Sequence, residues 1–322
     1  MAREKVSIVK SRNAEYIVDR TFELLRPQIS HSNLCLLKPN LSSLRKAETG
    51  ATTHPELVEA LVNRLRDRCS EVAIVESDTA ATSTEAKFRF CGYDEVSKRT
   101  GAKLLNLTNE KRVDHRFEHA NLKLSLPQVL FDCDCFVSVP TLKTHVLTVF
   151  TANIKNLYGL LPYPRKTTYH GEVNEIVAEL NALVKPRLCF VDGIVAMEGN
   201  GPNVGDPAGF GVVVGGTNSL CVDAVSCHAI GLDPAKVRHL KLAASYLNAK
   251  FPRLKDIDIV GNSLEEVRRN FRRAPQELSK KDWLKDNLMA VKPVGVVLDA
   301  TLLPLMKNIR NKRTKRERPS KL

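Results

Sequence analysis

Residues 33–77 read NLCLLKPNLSSLRKAETGATTHPELVEALVNRLRDRCSEVAIVES. The stretch opens on an apolar run, NLCLLK (33–38), stopped by Pro39, and closes on another, EVAIVES (71–77). Short near-continuous apolar runs of this kind predict strands buried on both faces. Between them, Thr53 is placed as an N-cap and Pro55 falls near the first turn of HPELVEALVNRLRDR, where a missing N–H costs nothing. Leu57, Leu61, Val62 and Leu65 share one helical face. Strand, helix and strand in this order predict a parallel pair joined by a right-handed crossover.

The pattern extends in both directions. VSIVK (6–10) predicts an earlier strand, and Ile17, Val18, Phe22 and Leu25 a helix over 13–26. A glycine-broken helical stretch follows at 85–100, then KLLNLT (103–108) and CFVSV (135–139) as strands. Further on come a helix (172–184), a strand (187–192), a strand at VVVGG, helices at 219–233 and 235–248, and a last strand, DIDIVG (256–261). The fold class expected is α/β: a mostly parallel sheet with helices on both faces, open to division into two α/β lobes, plus a basic C-terminal extension. The domain reading is one α/β domain at 1–262, an extension at 263–306 and a basic, disordered tail at 307–322.

Composition narrows the class. Hydrophobic residues make up 43% and charged residues 26% of 322, which excludes a wholly disordered or collagen-like chain. No apolar run approaches the roughly 18 residues of a membrane span, so no transmembrane segment is expected. MAREKVSIVKSRNAEY at the start has no signal-peptide core. Eight cysteines without a secretion signal point to reduced thiols and a cytoplasmic location. The net charge is +13, and Lys307–Leu322 alone holds eight basic residues and one acid. That tail suits contact with RNA or an acidic partner.

Chemistry is expected beyond the carboxyl ends of the strands, where open parallel sheets bind ligands. Lys38, Asn40, Asp78, Lys143, His145 and Asp192 all stand there. The next thirty residues, TLKTHVLTVFTANIKNLYGLLPYPRKTTYH (141–170), lack clean periodicity but are too apolar for disorder, the mark of a functional segment. They place Lys143, His145, Lys155 and His170 close together in sequence. Histidine can move protons or ligate metal, and a desolvated lysine can act as a nucleophile or carry a cofactor. The reading assigns catalysis to Lys143, His145 and Lys155. Binding of a small anion falls to Lys38, Asn40, Asp78, Asn156, Arg165 and Asp192, and a metal to His170. The alternative is plainer: solvated loop lysines and hydrogen-bonded loop histidines. GNGPNVGDPAGFG (199–211) begins like a dinucleotide loop but runs into a strand, not a helix, so it reads as a turn. Cys133 and Cys135 form a lone pair without a cluster-binding run. An iron–sulfur redox protein using them with distant cysteines is one competing function. A nucleic-acid-binding protein is another, although 6% aromatic residues supply few stacking platforms.

These strings resemble those of the family called domain of unknown function 362: KPNL (38–41), THPELVEAL (53–61), VSVPTLKTH (137–145), ANIKNLYGLLP (152–162), DGI (192–194), GNGP (199–202) with Gly205, and VDAV (222–225). The resemblance spans about residues 34–262. Many members carry a ferredoxin-like cluster domain, whose cysteine run is missing here. The family implies an architecture and a site, not a reaction. More distantly, the order His145, Lys155, His170 is similar to that of the nickel-pincer lactate racemases, and Pro162 falls where their loop has a proline. That likeness implies Lys155 as the bearer of a pincer nucleotide, His170 as a nickel ligand and His145 as an acid/base residue. The nickel and a pyridinium carbon would then accept and return a hydride. Ala152 and Asn153 depart from the glycines of that loop, and the chain lacks an obvious counterpart of its N-terminal histidine unless His54 serves.

Overall fold

The computed structural model describes residues 3–274. The expected tail at 307–322, and residues 275–306 of the expected extension, lie outside the described residues. In chain order the elements are β1 (Glu4–Lys10), α1 (Ala14–Leu25), β2 (Ser32–Pro39), α2 (Pro55–Leu65), β3 (Cys69–Glu76), α3 (Thr84–Phe90), α4 (Tyr93–Thr100) and β4 (Lys103–Asn106). Next come β5 (Arg112–Phe117), β6 (Leu122–Pro127), α5 (Val129–Asp132), β7 (Cys135–Val139), β8 (Thr141–His145), β9 (Val149–Thr151) and α6 (Asn153–Asn156). The last are α7 (Val173–Val184), β10 (Leu188–Glu198), β11 (Asp206–Gly216), α8 (Ser219–Ala229), α9 (Arg238–Tyr246), β12 (Ile257–Gly261) and α10 (Leu264–Val267).

The main sheet runs in the order β12-β1-β11-β10-β7-β2-β3-β4, with β8 beside β10 and β9 beside β8. Every strand on the main path points the same way except β11, which is antiparallel to both β1 and β10. The fold is therefore α/β with a mostly parallel sheet. Its two faces carry two apolar cores, and the strand alternation decides which residue joins which. Leu36, Val75 and Phe136 face the core built with α7, α8 and α9. Cys35, Leu37, Ile74 and Val137 face the other, built with α1, α2 and α4.

Some local expectations change. The N-cap of α2 is His54, not Thr53, and it makes no side-chain capping bond. The Thr53 hydroxyl donates instead to the Val139 carbonyl at 2.6 Å, tying the α2 turn to the end of β7. β5 and β6 form a separate antiparallel hairpin; β5 is mostly exposed and polar, so its sequence carries little strand signal. The strand expected at 187–192 continues to Glu198 and returns through the glycine-rich segment into β11. A side chain at Gly201 would put its Cβ 2.0 Å from the Thr144 carbonyl oxygen, so only glycine lets this turn close against β8. Residues 141–170, irregular in sequence, hold β8, β9 and α6. Residues 263–274 also pack on this body: Val267 and Phe271 are buried, and Arg272 pairs with Glu198 at 3.2 Å and Asp206 at 2.6 Å. Among the described residues no helix is long and apolar enough to cross a membrane.

Candidate functional site

The carboxyl ends of β2, β3 and β7 converge on a hydrogen-bonded network. Lys38, at the end of β2, donates to Glu76 Oε2 at 2.6 Å and to the Pro39 carbonyl at 2.7 Å. The Leu41 and Ser77 amides also donate to the Glu76 carboxylate. Burial pushes that carboxyl up, but Lys38 and Lys87 outweigh it and hold it below its ordinary value. Asn156 Nδ2 donates to the Lys38 carbonyl at 2.9 Å, and its Oδ1 accepts from Asn40 Nδ2 at 3.4 Å. Asn40 Oδ1 in turn accepts from Lys143 Nζ at 2.6 Å. Lys143 is fully buried. Its other acceptors are the carbonyls of Ala51 and Pro202. Burial, then the charges of Lys155 and Lys38, bring its amine down to about 7.

The glycine of the IKNLYG string belongs to this network. A Cβ at Gly159 would lie 2.8 Å from Lys38 Nζ and 2.9 Å from Glu76 Oε1. The ion pair thus occupies the space a side chain needs.

Lys155 differs from Lys38 and Lys143. It sits on α6, whose first turn is held by the buried Asp223 of α8. The Asp223 carboxylate accepts from Asn153 N at 2.9 Å, Asn153 Nδ2 at 2.9 Å and Ile154 N at 3.0 Å. Burial outweighs these bonds and raises that carboxyl to about 7. Lys155 Nζ lies 4.7 Å from the centre of the Tyr158 ring. Among the described residues no carboxylate forms a salt bridge with it. Burial, then the charge of Lys38, lowers its amine to about 8.

Three imidazoles feel the Lys155 charge. His145, at the end of β8, accepts at Nδ1 from the Leu147 and Thr148 amides at 3.0 and 3.4 Å. The neutral ring therefore carries its proton on Nε2. Burial, then Lys155 and Lys143, keep it well below its ordinary value. The His170 ring lies 5.9 Å from that of Tyr158; burial and Lys155 lower it to about 4. His239, on α9, is fully buried, and burial and Lys155 lower it to about 3. One cation thus stands among three neutral rings.

The remaining expected residues sit elsewhere. Asp78 accepts from the Thr84 amide at 2.7 Å and Asn106 Nδ2 at 2.9 Å, bracing the start of α3. Arg165 is exposed, while its neighbour Lys166 donates to the Asp78 carbonyl and is lowered to about 7, chiefly by burial. Asp192 is buried and turned toward His54, accepting from the His54 amide and from Nδ1, both at 2.8 Å. Burial lowers the His54 ring, but Asp192 outweighs it, so its pKa is raised. His54, without Asp192, lines a cleft of about 650 Å³ with Arg12, Lys46, Glu48 and Glu56.

Glu76, Asp223, Lys166 and His239 were not anticipated. Glu76 and Asp223 left a trace, the first at a strand end and the second inside the VDAV string. His239 lies in an ordinary amphipathic helix and left none. The cysteines do not assemble as a cluster site. Cys133 packs against one core and Cys135 lies in the other, beside Cys35 and Cys69. Among the described residues no group of three or more His, Cys, Asp or Glu is gathered to hold a metal ion.

A family described as "Domain of unknown function (DUF362)" matches residues 35–228. A thylakoid-associated protein of Synechocystis sp. is 27% identical over 209 residues, covering 63% of this chain and 64% of its own. The chain thus spans just under two thirds of that relative. Among solved structures, the lactate racemase apoprotein from Thermoanaerobacterium thermosaccharolyticum is similar with a TM-score of 0.44 at 11% identity, over 76% of this chain and 56% of that one. A Thermotoga maritima protein has a TM-score of 0.36 at 10% identity, over 74% and 60%.

Proposed function

Because the chain belongs to the domain of unknown function (DUF362) family, we propose that it is an enzyme acting on a small anionic molecule held at Lys155. The observation that carries this reading is the ammonium of Lys155, largely removed from water, without a carboxylate partner among the described residues. A buried cation is ordinarily paired; here an anionic ligand takes that place. His145 offers its Nε2–H to the ligand as a neutral donor, since its Nδ1 is committed to two backbone amides. The network of Lys38, Asn156, Asn40 and Lys143 links the strand ends to the turn that carries Lys155.

The residues also suit a cofactor that brings its own metal ligands better than a bare ion. An amine lowered to about 8 is partly uncharged near neutral pH, as covalent attachment requires. A pincer nucleotide there would be held by Lys155, with His170 within its electrostatic reach, and would supply a hydride acceptor. The proposal includes a cytoplasmic setting, which suits eight free thiols.

The test is calorimetric titration of the full chain with inorganic phosphate and with oxalate at pH 7, beside Lys155→Met. Losing a charge-assisted hydrogen bond to a half-buried ammonium should weaken binding roughly 10- to 100-fold, with the circular dichroism unchanged. Equal affinity in both proteins overturns the reading.

A further inference from the structure

His239 is fully buried, and neither ring nitrogen has a hydrogen-bond partner among the described residues. Native proteins satisfy the large majority of buried polar side-chain atoms, so an exception calls for a cause. The exceptions here are concentrated. Eight such atoms occur among the described residues, and four of them belong to Thr151, Asn153 and His239. Thr151 and Asn153 lie on the short run that leads into Lys155. His239 lies on α9, which packs against α6, and its ring feels the Lys155 charge.

The chemistry of these atoms is informative. Asn153 commits its amide nitrogen to Asp223 at 2.9 Å, which fixes Oδ1 as the unmatched acceptor. A neutral imidazole presents one N–H and one lone pair. An ammonium whose charge acts on the His239 ring, on a helix packed against the one that carries Asn153 and Lys155, calls for two features in one ligand: negative charge for the ammonium, and an O–H or N–H for the unmatched acceptors.

We infer that His239 is a ligand-contacting residue of the Lys155 site, and that with Asn153 it selects an anion carrying its own hydrogen-bond donor. This rests on the reading of Lys155 as the anion-binding residue. Phosphate and sulfate separate the two ideas. They are alike in shape, but near pH 7 phosphate keeps a proton and sulfate does not. A site with buried acceptors rejects the analogue lacking the donor, because the acceptors stay unmatched.

Four full-length proteins are compared by calorimetry and thermal melting: wild type, Lys155→Met, His239→Leu and His239→Gln. Wild type should bind phosphate at least tenfold more tightly than sulfate. His239→Leu should melt no lower than wild type, since it removes an unmatched polar group, yet lose the phosphate preference. His239→Gln, which keeps a donor and an acceptor, should retain most of it. In ¹⁵N-histidine-labelled wild type, phosphate should shift the ring nitrogens of His239. If Lys155→Met loses both anions while His239→Leu keeps the wild-type preference, or the His239 signals stay still, the inference fails and the Lys155 reading survives. If Lys155→Met binds phosphate normally, or wild type binds neither anion, both fail.

Discussion

Replacing Lys155 by methionine should stabilise the protein while disabling it. In the fold the amine falls from 10.5 to about 8, mainly through burial. One decade of pKa corresponds to about 1.4 kcal/mol, so the charged amine costs the fold about 3 kcal/mol. Contact with the Tyr158 ring, 4.7 Å away, offsets part of what methionine gains, since a cation over an aromatic face contributes about 1 kcal/mol. The net gain at pH 7 should be about 2 kcal/mol, or roughly 5 °C in melting temperature. The pH dependence follows from the sign of the displacement. Below about 8 the folded amine is charged against its preference, and the full penalty applies. As pH rises toward 10.5 the penalty shrinks, and above that the amine is neutral in both states. Urea titrations of both proteins at pH 7 and pH 10 should therefore give a stability difference that narrows as pH rises. A methionine variant less stable at pH 7, or a difference that holds constant to pH 10, refutes the argument that half-buried Lys155 is an uncompensated cation.

Three further outcomes follow from the same geometry. Glu76→Gln leaves Lys38 charged and buried without its 2.6 Å partner, and should cost about 3–5 kcal/mol in urea unfolding; a loss below about 1 kcal/mol would mean that Lys38 finds another counter-charge. Gly159→Ala drives a methyl to 2.8 Å from Lys38 Nζ, so it should destabilise by roughly 1–3 kcal/mol and weaken phosphate binding with it, as melting and calorimetry would register. The His54 ring, raised by Asp192, contributes stability that is present below its unfolded value and lost as pH rises through the raised one. In Asp192→Asn the NMR titration of His54 should move to lower pH, and a midpoint that stays in place removes Asp192 as the cause.

How much of this was legible in the sequence depends on which atoms carry the signal. The strands β2, β3 and β7 announce themselves because both of their faces are apolar, and the residues that follow them are fixed by chain connectivity. Lys38, Asn40 and Lys143 could therefore be assigned to one edge from spacing alone. The direction of a side chain could not. Asp192, expected just past a strand end, lies inside β10 and turns to His54 because the α2 turn presents both an amide and a ring nitrogen within 2.8 Å. Arg165 and Lys166 are adjacent and alike in charge, and only the backbone of the turn decides which one reaches Asp78. The reversed strand β11 was hidden for a related reason: VVVGG reads the same in either direction.

The arrangement of lysines explains why an anion would settle at Lys155 rather than at one of its neighbouring lysines. Lys38 has Glu76. Lys87 donates to the Ser77 carbonyl, Lys166 to that of Asp78, and Lys143 to Asn40, Ala51 and Pro202. Carbonyl oxygens replace the hydration of an ammonium without neutralising it, so each of these lysines is held in place, and whatever charge it keeps stays in a low-dielectric region. Lys38 and Lys143 repel the ammonium of Lys155, which has neither carboxylate nor carbonyl among its partners in the described residues. A ligand anion reaching Lys155 forms its own ion pair and also relieves the repulsion that Lys38 and Lys143 exert there. A neutral ligand of the same shape would gain none of this, so among ligands with the same hydrogen-bond donors an anion should bind more tightly than its neutral counterpart.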